Sequence, residues 1–144
     1  VAERRLKIDR MPEARRKRIR LIHDSLLYRD KRLEGFDAAA VVEVVEHLDP
    51  PRLQAFERSL FEFARPRTVV LTTPNREYNA VWPWLGEGKL RHADHRFEWN
   101  REEFRAWTES ISDRFGYSVR ILPVGPVDES KGSPTQMAIF TRSN

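Results

Sequence analysis

Two short runs of small and β-branched residues constrain the fold of this chain more than any other feature. Residues 36–42 and 68–73 have the composition of strands that are buried on both faces of a parallel sheet. Between them, a double proline after Asp49 marks the start of a helix. Apolar residues then recur at helical spacing until Pro66, at Leu53, Phe56, Leu60 and Phe63. A strand, a helix and a strand in this order predict a parallel pair joined by a crossover.

The rest of the pattern extends this unit into a larger sheet. Residues 18–23 alternate basic and apolar side chains, which predicts another strand with one exposed face. Asn100 and Glu103 form a capping-box pattern ahead of a helix that Gly116 ends. Residues 117–122 and 136–141 predict two final strands, antiparallel because no helix separates them. We therefore predict one α/β domain with an antiparallel hairpin at the sheet edge.

The composition narrows the classes of function. The chain has 144 residues, a net charge of +4 and many arginines between residues 10 and 32, which favours an anionic partner such as a nucleic-acid backbone. A solvated charged surface is the alternative explanation of that run. Cysteine is absent, which excludes disulfides and thiolate zinc sites and is compatible with the cytoplasm. There is no apolar run near twenty residues, so we expect no membrane partner.

Two further runs carry side chains that can bind a metal ion. Glu43, Glu46 and His47 stand at i, i+3 and i+4, a spacing that one helical turn brings to the same face. Residues 91–99 add two imidazoles, His92 and His95. Carboxylates combined with imidazoles favour a divalent ion that accepts both oxygen and nitrogen ligands. On composition alone, an exposed turn with ordinary charges is the favoured explanation of the first run.

The connection after the second buried strand is long for a compact domain. Residues 76–99 contain three of the four tryptophans, and a loop of this length commonly has a binding or lid role. Trp82 and Trp84 can stack on a terminal base of single-stranded RNA, or they can pin the loop to the core. Asn75 follows a buried strand at the end where α/β sheets place their ligands. It is either a turn-forming residue or a ligand contact.

Three motifs, taken together, point to a known family. They are Phe36-Asp37 followed by Glu43-Val44-Val45-Glu46-His47-Leu48, then Thr73-Pro74-Asn75-Arg76-Glu77-Tyr78-Asn79, and finally His92-Ala93-Asp94-His95-Arg96-Phe97-Glu98-Trp99. In combination they resemble the bacterial branch of the HUA-enhancer family of RNA 3′-terminal ribose 2′-O-methyltransferases. The resemblance spans about residues 1 to 142. It implies a Rossmann-like class I methyltransferase sheet and an enzyme that uses S-adenosylmethionine to methylate the 2′-hydroxyl of the last nucleotide of an RNA.

The resemblance also implies roles for individual residues. A magnesium or manganese ion would be held by Glu43, Glu46, His47 and His95, and His47 is also the candidate for taking the proton of the hydroxyl. The adenine side of S-adenosylmethionine would contact Asp24, Ser25 and Val42. Candidate contacts for the RNA 3′ end are Asn75, His92 and Trp82. Bacterial relatives work beside a polynucleotide kinase-phosphatase/ligase that repairs RNA ends, so such an enzyme is an expected partner.

The cofactor motif of such methyltransferases is not found in this sequence. The chain has only six glycines and no Gly-rich turn at its front. We therefore expect residues 1–144 to be the C-terminal portion of one methyltransferase domain, with the N-terminal βαβ part lying upstream, and to bind the cofactor poorly alone. Two other functions remain open for the same residues: a metal-dependent phosphodiesterase or hydrolase acting on nucleic acid, and a non-catalytic RNA-binding module.

Overall fold

The computed structural model describes residues 5–143 and is built on a four-stranded mixed sheet. The strands are β1 (Ala38–Val42), β2 (Thr68–Pro74), β3 (Tyr117–Val124) and β4 (Thr135–Arg142). Their order across the sheet is β1-β2-β4-β3. β1 and β2 are parallel, whereas β4 is antiparallel to both β2 and β3. The α/β class and the antiparallel hairpin at one edge of the sheet are therefore confirmed.

Helical segments connect these strands. The α-helices are α1 (Glu13–Arg16), α2 (Pro50–Glu57) and α3 (Arg101–Phe115), and α2 continues as a π-helical segment, Arg58–Ala64. Short 3₁₀ turns lie at Ile8–Arg10, Lys31–Leu33, Val45–His47 and Arg76–Val81. Within residues 5–143, no helix has both the length and the apolar character needed to cross a bilayer.

The ends of α3 follow from local sequence. Asn100 Oδ1 accepts the Glu103 N–H at 2.8 Å, and the Glu103 carboxylate accepts the Asn100 N–H at 2.8 Å. This reciprocal pair satisfies two of the backbone donors that a helix start leaves free. Gly116 ends the helix in the left-handed conformation with φ of 72°. Both predicted ends of this helix are confirmed.

The core lies between the helices and one face of the sheet. Its largest fully buried aromatic side chains are Phe56, Phe61, Phe104 and Phe140. Burying a phenylalanine stabilises the fold by about 1.5–3 kcal/mol. Buried Glu57 joins the helices, because its carboxylate accepts the Trp107 Nε1–H at 2.7 Å and an Arg114 guanidinium N–H at 2.8 Å.

The π-helical segment changes which apolar residues of the second helix face the core. Phe56 and Phe61, five positions apart, are buried, whereas Leu60 and Phe63 are half-buried. The 3.6-residue spacing predicted Leu60 and Phe63 on the inner stripe. A π-helical segment turns less per residue than an α-helix. Phe61 therefore faces the core, although α-helical spacing would place it off the inner face.

Two strand predictions differ from the structure. Residues 18–23 form no strand, because no other segment within residues 5–143 pairs with them. β1 is an edge strand, and its residues Ala38, Ala40 and Val42 are exposed. It is therefore not buried on both faces as its composition predicted, since the core helices cover only the face that carries Val41.

The parallel pair places the candidate ligands at one edge of the sheet. The carboxyl ends of β1 and β2 meet there, as expected for ligand sites of α/β folds. Glu43 follows β1 directly, and its N–H donates to the Thr72 carbonyl at 3.1 Å. The 3₁₀ turn Val45–His47 comes next, so Glu46 and His47 lie beside the end of β2.

Candidate metal centre

Residues 43–47 form a tight bend and not the single helical turn that their spacing predicted. Glu43 adopts a left-handed backbone with φ of 53°, and the 3₁₀ turn begins only at Val45. Val45 is fully buried in the core and anchors the turn. Glu46 is consequently buried and His47 half-buried, whereas the Glu43 side chain remains exposed. The prediction of one shared helical face is wrong because the chain changes direction at Glu43.

A backbone hydrogen bond fastens the second ligand run to this bend. The Arg96 N–H donates to the Glu46 carbonyl at 2.7 Å. The rings of His47 and His95 meet edge to face, with centroids 4.8 Å apart. One potential ligand atom from each of Glu46, His47 and His95 lies within 4.8 Å of the others. The structure thus brings together three of the four predicted ligands, and Glu43 is outside this group.

The Glu46 carboxylate has one buried oxygen that accepts no hydrogen bond from residues 5–143. Its Oε2 accepts the Thr73 hydroxyl at 3.0 Å, whereas its fully buried Oε1 has no hydrogen-bond donor among residues 5–143. Burial raises the pKa of the Glu46 carboxyl, and the charge of Glu43 raises it further. Leaving a buried polar group unpaired costs about 1–3 kcal/mol, and more for a charged group. A cation beside Oε1 would remove that cost, so the donor set fits a metal ion.

Hydrogen bonds to the two imidazoles leave one nitrogen of each ring available. His95 Nδ1 lies 2.6 Å from Glu98 Oε1, and His47 Nδ1 lies 3.3 Å from the Asp94 carbonyl oxygen. With the proton assigned to Nδ1 by these acceptors, Nε2 carries the lone pair that binds a metal. His47 Nε2 lies 4.0 Å from the unpartnered Glu46 Oε1. All three groups therefore present a free acceptor atom to one small volume.

Glu98 is the residue of this centre that sequence reasoning missed. It is 1% exposed, and in addition to His95 it accepts the Arg91 backbone N–H at 2.7 Å and the Asn79 amide N–H at 2.6 Å. Arg91 Nε in turn donates to Asn79 Oδ1 at 2.7 Å. One carboxylate thus orients His95 and holds the loop that carries it. The available signal was its position three residues after His95.

We expect Glu98→Gln to weaken manganese binding by about ten- to one hundred-fold, the usual effect of losing an outer-shell carboxylate. Glutamine keeps the size of the side chain but loses the charge that holds the His95 Nδ1–H. Isothermal titration with Mn²⁺ measures the change. Glu62→Gln, in an exposed pair with Arg58, serves as the control and should leave the affinity unchanged. Equal affinities for wild type and Glu98→Gln would contradict this role.

Comparison with known proteins decides the family. No family model matches the chain. It is 41% identical over 128 residues to the small RNA 2′-O-methyltransferase of Xenopus tropicalis, an alignment that covers 87% of this chain and 34% of that protein. It is also 57% identical to the crystal structure of the methyltransferase domain of bacterial CtHen1, covering 99% of this chain and 71% of that one, with a TM-score of 0.89. The chain belongs to the Hen1 family.

Comparison with known structures and sequences also shows the fold of the chain and the share of its relatives that it spans. A SAM-dependent methyltransferase from Archaeoglobus fulgidus is 15% identical, with a TM-score of 0.55 over 84% of this chain and 66% of that one. This likeness concerns the fold alone, and together with the match to the CtHen1 domain it confirms the predicted Rossmann-like fold. The chain spans about a third of the length of the curated Hen1 relatives that it matches.

Two of the predicted substrate contacts of this Hen1 family member, Asn75 and His92, differ in burial. Asn75 is fully buried, and its amide donates to the Lys131 and Ser133 carbonyls at 2.8 and 2.9 Å. Its Oδ1 accepts the Glu77 N–H at 3.0 Å. These bonds show that Asn75 stabilises the turn, and its contact with a ligand stays a prediction. His92 is exposed, is hydrogen-bonded to the Asp94 carboxylate, and has its ring 5.8 Å from that of His95.

The predicted cofactor contacts of the same chain lie in two segments. Asp24 and Ser25 make local bonds, because Asp24 accepts the Ser25 N–H at 2.8 Å and Ser25 Oγ accepts the Leu27 N–H at 3.3 Å. The strand that was to precede them is absent, as described above. Val42 ends β1, is 61% exposed and pairs in register with Thr72. The Thr72 hydroxyl is buried without a hydrogen-bond partner in the described part of the chain.

Proposed function

We propose that this protein is an S-adenosylmethionine- and divalent-metal-dependent methyltransferase that acts on the 2′-hydroxyl of the 3′-terminal nucleotide of RNA. The observation that carries the proposal is the convergence of the unpartnered Glu46 Oε1 with His47 and His95 at the carboxyl edge of the sheet. The names of the curated relatives, small RNA 2′-O-methyltransferases, support the choice of reaction and substrate class.

Glu46, His47 and His95 would hold the ion, with Glu43 as the fourth ligand. The Glu43 side chain is exposed, and its charge is close enough to raise the pKa of Glu46. Two imidazoles in the set favour Mn²⁺ over Mg²⁺, which prefers oxygen ligands. Bound there, the ion would act as a Lewis acid on the vicinal 2′- and 3′-hydroxyls of a terminal ribose and would lower the pKa of the 2′-hydroxyl. An internal nucleotide lacks the free 3′-hydroxyl, which accounts for specificity for the RNA end.

His47 is the proposed acceptor of the hydroxyl proton. Its Nδ1 faces both the carbonyl and the carboxylate of Asp94, at 3.3 and 3.4 Å, so Asp94 orients the ring and leaves Nε2 to accept the proton. The same Nε2 cannot ligate an ion and take a proton at once. In the base role, His47 would leave Glu43, Glu46 and His95 as the protein ligands of the ion.

The cofactor would lie beside the metal ligands at the end of β1. Val42 offers an exposed apolar side chain directly before Glu43, and the Thr72 hydroxyl beside it has no hydrogen-bond partner among residues 5–143. Asp24 and Ser25 are the proposed contacts of the adenine side. The bound cofactor supplies an electrophilic methyl group, and these residues serve only to position it.

An RNA end-healing and sealing enzyme is the proposed partner. A chain of the structure described as the Pnkp1/Rnl/Hen1 RNA repair complex shares the fold, at 22% identity and a TM-score of 0.56. At that identity the likeness concerns the fold alone. The proposal of this partner therefore rests on the resemblance to the bacterial branch of the family. Methylation of a repaired end would protect it chemically by blocking the 2′-oxygen.

The test is transfer of a labelled methyl group from S-adenosylmethionine to a short RNA by the full-length protein. We expect label on an RNA with a free terminal ribose, in the presence of Mn²⁺, and none on a matched RNA with a 2′-deoxy end. Chelation should abolish the labelling. Shortening of the RNA in place of methylation would establish a hydrolase and overturn the proposal.

A further inference from the structure

In the long connection after β2, Trp82 packs against neighbouring side chains, whereas Trp84 is largely exposed to solvent. Trp84 is 72% exposed. Trp82 stacks with it at an interplanar angle of 20° and a centroid distance of 5.5 Å, and Tyr78 meets Trp82 edge to face at 5.5 Å. The Trp82 ring is thus fixed from the protein side. It supports an indole in Trp84 whose surface is available for stacking.

Arg91 links this tryptophan pair to the metal centre. Its guanidinium carbon lies 4.6 Å from the Trp82 ring centroid, and its Nη2 donates to the Asn75 carbonyl at 2.5 Å. Its backbone N–H donates to Glu98, the carboxylate that orients His95. Through its side chain and its backbone, Arg91 therefore connects Trp82 to Glu98, the carboxylate that is hydrogen-bonded to the proposed ligand His95.

The surroundings of the pair suit a nucleic acid better than an apolar peptide. Trp82 lines a groove together with Lys89, with Arg76, whose guanidinium also donates to the Glu103 carboxylate at 3.2 Å, and with Glu87. Aromatic faces beside cationic groups are the usual means of binding single-stranded nucleic acid, because every base has a face that can stack and every nucleotide carries a phosphate. Duplex ends would not serve, since their bases are already stacked and paired.

We propose that Trp84 stacks on an unpaired base next to the 3′ end of the RNA, and that Trp82 and Arg91 fix its position relative to the metal centre. The inference rests on the proposed function, because that function places the RNA end at Glu46, His47 and His95. It adds a second requirement for substrates: the terminal segment must be single-stranded as well as carry a free ribose.

The first test compares full-length wild type with Trp84→Ala and Trp84→Phe. Loss of one stacked base should raise both the Kd for a single-stranded RNA and the KM for methyl transfer about ten-fold in Trp84→Ala, with little change in kcat. The phenylalanine variant should retain most of the affinity. Tyr28→Ala is the matched control, since Tyr28 is 70% exposed in another segment, and it should change neither constant.

The second test removes one RNA base at a time from the last few nucleotides. One abasic position should weaken binding to wild type about ten-fold and have no further effect on Trp84→Ala, because both changes remove the same contact. Fully additive losses would overturn the proposal. Equal Kd values for wild type and Trp84→Ala would also overturn it.

These measurements test the methyltransferase function and the Trp84 stacking contact independently. Trp84-dependent RNA binding without any methyl transfer would refute the methyltransferase function and leave the stacking contact standing. Metal-dependent methyl transfer that is unaffected by Trp84→Ala at every RNA concentration would refute the stacking contact and leave the function standing.

Discussion

Replacing Glu46 with glutamine should lower metal-dependent methyl transfer by at least one hundred-fold without lowering the free energy of unfolding of the metal-free protein. Glutamine has the shape of glutamate and retains an oxygen for the Thr73 hydroxyl. It removes the charge on a fully buried atom that has no donor among residues 5–143, so the fold loses little. Loss of an ion that stabilises several kcal/mol of developing charge accounts for the fall in rate. Single-turnover transfer and urea unfolding with a chelator measure the two quantities.

The chain offers a matched control in its other buried glutamate. Glu57 is 3% exposed, and both of its oxygens have donors, from Trp107 and Arg114. Glu57→Gln should lower the free energy of unfolding by about 1–3 kcal/mol, because it weakens charge-assisted hydrogen bonds, and leave the transfer rate of folded protein unchanged. If Glu46→Gln instead loses stability and keeps its activity, Glu46 has a structural role and does not hold an ion that methyl transfer requires.

The types of ligand could be predicted from the sequence because they depend only on which residues occur close together. Glu46, His47 and His95 were identified in this way, and the structure brings them together. The bend at Glu43 could not be predicted, since the i, i+3, i+4 spacing is equally compatible with a helix. A glutamate with φ of 53° is held there by its surroundings and not by its own preference.

Features that depend on distant contacts were the ones that sequence reasoning missed. The capping box of α3 is local, and it was predicted correctly. Glu98 acquires its role only through Arg91, Asn79 and His95, which the folded loop brings around it. Residues 18–23 alternate as a strand does, yet a strand also needs a neighbour with which to pair, and the described part of the chain provides none.

The residues of the second helix that face the core could not be predicted from the sequence either. Regular 3.6-residue spacing extends the stripe of Phe56 to Leu60 and Phe63, and the sequence carries no sign of a π-helical segment. The structure instead buries Phe61, whose ring meets Tyr117 at 5.4 Å and Phe140 at 4.9 Å between centroids. Phe63 remains half-buried, with Arg29 and Arg58 over its ring at 5.1 and 5.5 Å. Regular α-helical spacing therefore places Phe63 in the core, whereas the structure places Phe61 there.

Phe61→Ala should lower the free energy of unfolding by about 3–5 kcal/mol, the cost of losing a fully buried aromatic ring and leaving a cavity. Phe63→Ala should cost about 1 kcal/mol, because its ring is partly solvated and mainly covers arginine stems. Urea unfolding of the two variants under identical conditions measures the difference. Mn²⁺ affinity should match wild type in both folded variants, since neither residue belongs to the cluster of Glu46, His47 and His95. The reverse order of stabilities would show that the helix keeps α-helical spacing through residue 63 and that Phe63 faces the core.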